Sequence, residues 1–162
     1  MPDKTKALVT LLIGDAYSGF WKTHCEATWR RYAARHGYDI VLLEAPIDAG
    51  PRSRERSMHW QKCLVLEHAS VRPYDDVVWI DADIVINDKA APCIVTHDPS
   101  DKIGAVTSRH AYPTPEQIDN RLKRIRALNN NAEVARLAEA SFADLYRRAG
   151  LPGDVDEMLN TG

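Results

Sequence analysis

The chain of 162 residues carries 21 Lys+Arg against 23 Asp+Glu, a formal charge of −2, and is 44% hydrophobic and 27% charged. That length matches one domain, and those proportions exclude a disordered, collagen-like or disulfide-built chain. The near-neutral balance excludes a dedicated nucleic-acid binder, which would show a basic stripe. Cys25, Cys63 and Cys93 are scattered, odd in number and without a CxxC pair, which reads as free thiols in a reducing compartment and so as a cytoplasmic protein.

Lys4 and Lys6 precede an apolar run over residues 7–13, about a third of the length needed to span a bilayer. It stops at Gly14-Asp15 with no small-residue cleavage site, so it reads as a buried parallel strand and not as a signal peptide. No other stretch is long or apolar enough, and no membrane span is expected. Trp21, Cys25, Thr28, Trp29, Tyr32 and His36 then fall on one helical face, with Ser18 placed to cap the start and Gly37 to end the helix. Residues 38–43 form a second strand, and a polar loop rich in Pro, Gly and Arg runs from 45 to about 56. A helix follows, with Met58, Gln61, Leu64, Val65 and His68 or Ala69 inward. Residues 77–80 are a third strand, apolar on both faces and therefore expected at the centre of the sheet.

This βαβαβ order predicts an α/β fold with a mainly parallel sheet flanked by helices. A fourth strand is expected over residues 103–107. Thr114-Pro115-Glu116-Gln117 combines a capping box with Pro at the first helical position, and Ile118, Leu122 and Ile125 share a face. A second helix, starting at Asn130 and Glu133, carries Val134, Leu137, Ser141, Phe142 and Leu145 until Gly150 and Pro152 stop it. The two make a helical insertion over 114–150 within a single domain of residues 1–162.

Ligands of an open parallel sheet bind beyond the carboxyl ends of its strands. The end of the third strand reads Ile80-Asp81-Ala82-Asp83, two carboxylates one residue apart after a buried run. They can converge on a hard divalent cation, Mg²⁺ or Mn²⁺, which takes oxygen ligands and keeps positions open for phosphates. His24/Cys25 and His59/Cys63 lack the tight ligand pairs of a zinc site, and Cys25 and Cys63 read as packing residues.

The segment from Tyr74 to Ile86, with its Asp81-Ala82-Asp83, resembles the metal-binding segment of glycosyltransferases with the GT-A nucleotide-diphospho-sugar fold. Val9-Thr10-Leu11 with Asp15-Ala16-Tyr17 is similar to the first strand and turn of the glycogenin-type retaining transferases. His36-Gly37-Tyr38, then Trp60-Gln61-Lys62, then the Asp-Ala-Asp strand resemble the fungal galactosyl/mannosyltransferases and plant xylosyltransferases. Asn160-Thr161-Gly162 looks like the Asn-x-Gly of their next catalytic strand. The resemblance implies metal-dependent transfer of sugar, with retention, from a nucleotide-diphosphate donor to a carbohydrate or glycoconjugate acceptor. Asp81 and Asp83 would hold Mn²⁺ or Mg²⁺. Leu11, Ile13, Gly14, Asp15 and Ala82 would line the nucleotide, and Tyr17 would stack on the base. Lys62 and Asn160 would meet phosphate or sugar, and Arg56 is the preferred phosphate contact among the loop arginines. The acceptor-side catalytic groups of those families are expected beyond Gly162.

Two other readings use the same residues. Asp81-Ala82-Asp83-Ile84-Val85 also fits the nucleophile motif of haloacid-dehalogenase-type phosphotransferases, with Asp81 attacking phosphorus, although there the motif usually opens its domain. The chain would otherwise be a shortened module that binds nucleotide-sugar without transferring it.

Overall fold

The computed structural model describes residues 5–97, together with isolated positions between 104 and 150. The strand expected over 103–107, most of the helical insertion over 114–150, and Asn160 lie outside the described residues. The chain divides into two compact units, Met1–Ser100 and Asp101–Gly162. In the second unit the capping box is present as expected. The Gln117 amide donates to Thr114 Oγ1 at 3.2 Å, and the Thr114 amide donates to Gln117 Oε1 at 3.2 Å.

The first unit is α/β. Strand β1 (Lys6–Leu11) lies between β2 (Asp39–Leu43) and β3 (Asp76–Trp79), parallel to both, in the order β2-β1-β3. Leu8 pairs with Ile40 on one side and with Val78 on the other. Among the described residues β1, not β3, is therefore the central strand. Its interior residues are fully buried, whereas β3 is half-buried throughout, so an apolar run alone did not identify the centre.

Alternation along β1 builds two cores. Leu8 and Leu12 pack with Trp21, Cys25, Trp29 and Tyr32 on one face. Ala7 and Val9 pack with Leu43, Val65 and Val71 on the other. Each large side chain so buried contributes about 1.5–3 kcal/mol. The helical face predicted from Trp21 onward is thus the one that covers the sheet.

The helix itself begins earlier than expected. Helix α1 (Asp15–Phe20) passes through one π turn (Trp21–Cys25) into α2 (Glu26–His36). Ser18 lies inside α1 and is not its cap. Its hydroxyl instead donates to the Leu12 carbonyl at 3.2 Å, a local bond that serine makes readily. Gly37 ends α2 as predicted, in the left-handed conformation at φ 69° and ψ 45°. The Tyr38 amide closes the motif on Ala33 O at 3.0 Å.

The Arg-rich loop contains a short helix α3 (Pro51–Arg54). The next helix is a 3₁₀ helix (Met58–Glu67), with Gln61 and Val65 buried but Met58 exposed. Cys63 on that helix is exposed, so it is not a packing residue, whereas Cys25 is buried as expected. No helix among the described residues is long and apolar enough to cross a membrane.

After β3 the chain has little regular structure and runs along α2 as a strap over residues 84–95, fastened by side chains of that helix. Trp29 Nε1 donates to Ile84 O at 2.7 Å, and the Ile86 amide donates to Thr28 Oγ1 at 3.3 Å. Arg31 grips the Asp88 carboxylate through Nε at 2.8 Å and a terminal nitrogen at 3.3 Å, which holds that carboxyl below its ordinary value. Arg35 donates to Asp88 O and Lys89 O, both at 2.9 Å. Tyr32 donates its hydroxyl to Pro92 O at 2.8 Å and accepts from the Ile94 amide at 3.1 Å.

Candidate functional site

The strand order reverses between β1 and β3. From β1 the chain crosses by way of α1 and α2 to β2, then by way of the 3₁₀ helix to β3 on the opposite side of β1. The first connection covers one sheet face and the second the other, so a crevice is expected beyond the carboxyl ends of β1 and β3. The residues leaving those two ends are Ile13-Gly14-Asp15 and Asp81-Ala82-Asp83.

Asp81 is held from two directions. The Trp79 indole N–H donates to Asp81 Oδ1 at 3.0 Å, and Lys62 Nζ stands 3.7 Å from the same oxygen. The Lys62 side chain is 16% exposed and that of Asp81 31%, so the pair is shielded more than an ordinary surface ion pair. Lys62 owes its position to Gln61. That buried amide donates to Asp48 O at 2.7 Å and to Ser53 Oγ at 2.6 Å, and accepts from the Asp48 amide at 2.9 Å. The 3₁₀ helix and the loop before it are thereby locked together, with Trp60 turned outward and Lys62 toward Asp81. The sequence places Gln61 inward, as observed, but assigns no part in the site to either Trp79 or Gln61. The alternation of a strand signals the first, since residues two apart share a face.

The other predicted residues surround this pair to different degrees. Asp83 is exposed, and burial, with the negative charge of Asp83 adding to it, pushes the Cys25 thiol upward. Ala82 between them is 8% exposed and packs into the core with Ile86, so only its backbone is left to meet a ligand. Leu11 and Ile13 are half-buried, and Asp15 is exposed in the first turn of α1. Tyr17 is 57% exposed, which suits a stacking face. Arg56 is not gathered to Asp81 by any contact; its guanidinium lies 5.7 Å from the centre of the exposed Trp60 ring.

Gly14 turns β1 into α1 at φ 94° and ψ 150°, a region open almost only to glycine. A Cβ built there would meet no atom of the described residues within 4 Å, so among them the constraint is on the backbone alone. Gly14→Ala is expected to cost about 1–3 kcal/mol by urea unfolding, with the sheet intact by circular dichroism. A cost below about 0.5 kcal/mol would mean that the turn readily adopts another conformation.

Carboxylate oxygens are the donors that a hard divalent cation takes. Asp81 supplies such oxygens and already accepts a positive charge in the form of the Lys62 ammonium. Among the described residues no group of three or more His, Cys, Asp or Glu is gathered that could close a metal shell. Asp81 and Asp83 are the carboxylates that would hold a hard divalent ion, whose other positions water and substrate would fill. Compared with family models, curated proteins and solved structures, the chain matches none.

Proposed function

We propose that this chain is a metal-dependent glycosyltransferase of the GT-A nucleotide-diphospho-sugar type, taking a UDP- or GDP-sugar donor and a carbohydrate or glycoconjugate acceptor, with retention. The observation that carries the reading is the meeting of Lys62, Trp79 and Asp81 at the carboxyl end of β3, where the strand order reverses. An ammonium and a partly exposed carboxylate there offer complementary contacts to a diphosphate and its cation. Bound metal would offset the charge that develops on the leaving nucleotide diphosphate. The chain's own part is to orient Asp81 through the Trp79 indole, present Lys62 to a phosphate oxygen and leave the Gly14 turn open to the nucleoside.

Calorimetric titration with UDP and GDP, with and without Mn²⁺, tests this reading. Binding of one of them that needs the metal is the expected result, and a p-nitrophenyl phosphate assay run in parallel should stay at background. Metal-independent binding, or none, would refute the reading. Aryl phosphate hydrolysis abolished by Asp81→Asn would favour the haloacid-dehalogenase type of chemistry instead. Metal-dependent binding without sugar transfer would describe a nucleotide-sugar-binding module.

A further inference from the structure

We infer that Lys62 is a resident cation, seated on Asp81 until a metal–nucleotide pair displaces it, so that metal alone binds weakly and metal and nucleotide bind synergistically. The inference rests on the proposed function and adds to it a rule for the order in which the site fills.

The geometry gives Asp81 Oδ1 two donors of different kinds. Trp79 Nε1, at 3.0 Å, belongs to the strand and is fixed with it. Lys62 Nζ, at 3.7 Å, ends a flexible four-carbon stem whose base is anchored by the neighbouring Gln61 network and by Val65 one turn on. A stem of this kind lets the ammonium exchange one anion for another while the 3₁₀ helix stays in place. A dication arriving at Asp81 meets a like charge a few ångströms away, and the two repel. A diphosphate removes that conflict. Its oxygens offer the ammonium a second anion, so Lys62 leaves the carboxylate for a phosphate as the metal takes the carboxylate. The Trp79 indole keeps Asp81 oriented through the exchange. Because coupling between two ligands is reciprocal, nucleotide must raise metal affinity by the same factor as metal raises nucleotide affinity.

The test is a Mn²⁺ titration, with free Mn²⁺ read by electron paramagnetic resonance, on the full chain and on Lys62→Met, Lys62→Gln, Lys62→Arg and Asp81→Asn. Each is measured alone and with saturating UDP or GDP. Removing the resident charge should tighten Mn²⁺ binding without nucleotide by about fivefold, the worth of a partly exposed ion pair. It should also shrink the further gain on adding nucleotide, while Lys62→Arg keeps the original pattern. Two neutral variants, both checked by far-UV circular dichroism, guard against one that fails to fold. If Lys62→Met and Lys62→Gln leave Mn²⁺ affinity unchanged while Asp81→Asn abolishes it, Asp81 is a ligand but Lys62 is no placeholder, and only this inference falls. If no protein binds Mn²⁺ with either nucleotide, the proposed function fails and the inference falls with it.

Discussion

Trp29→Ala is expected to lower the unfolding free energy of the Met1–Ser100 unit by about 3–5 kcal/mol, the usual cost of emptying a buried aromatic site. The ring is fully buried, meets Trp21 edge-on with centroids 5.9 Å apart, and ties the strap through its indole N–H to Ile84 O. A domain of ordinary stability has only about 5–15 kcal/mol in all, so this variant should be largely unfolded at moderate urea. Trp29→Phe separates volume from hydrogen bonding. It keeps most of the packing but strands the Ile84 carbonyl, for an expected cost of about 1–3 kcal/mol. Urea unfolding followed by far-UV circular dichroism measures both. If Trp29→Ala cost less than about 1 kcal/mol, this face of α2 would not be the core of the unit.

The second large effect is linked to ligand. With Mn²⁺ and nucleotide diphosphate at about 100 times the dissociation constant, the protein should gain about 2.7 kcal/mol, which for a chain of this size is roughly 5–10 °C in Tm. Asp83→Asn should lose nearly all of that gain. Asp83 is the cleaner variant because it is exposed and nearly isosteric with Asn, whereas Asp81→Asn also disturbs the Lys62 ion pair and the Trp79 bond in the free protein. A thermal-shift series across metal concentrations checks the expectation. An undiminished shift in Asp83→Asn would remove Asp83 from the proposed metal site.

The parts of the fold that were legible in the sequence are those where one local rule dominates. β1 was read from its apolar run, the α2 face from its 3.6-residue spacing and the helix stop from Gly37. The start of the helix was not, because Ser18 has two uses and the structure takes the one that bonds backward to Leu12. The 3₁₀ helix departed from expectation at its first residue, where Met58 stays exposed while Gln61 and Val65 turn in. At the candidate site, Asp81 and Lys62 were each singled out, but their meeting is a tertiary contact between residues 19 positions apart that no periodicity encodes. His36-Gly37-Tyr38 is a helix stop followed by a buried tyrosine stacked on Tyr32 with centroids 5.7 Å apart, a structural role for these residues.

The strap along α2 constrains how this chain can diverge. Thr28, Trp29, Arg31, Tyr32, Arg35 and His36 lie on one side of the helix and meet the strap between Ile84 and Ile94. One residue inserted into α2 would rotate every fastening beyond it by about 100° around the helix axis. A residue inserted into the strap would carry each later partner past its tether. The helix and the segment that follows Asp81-Ala82-Asp83 are therefore matched in length, and neither can gain or lose a residue unless the other is rebuilt around it.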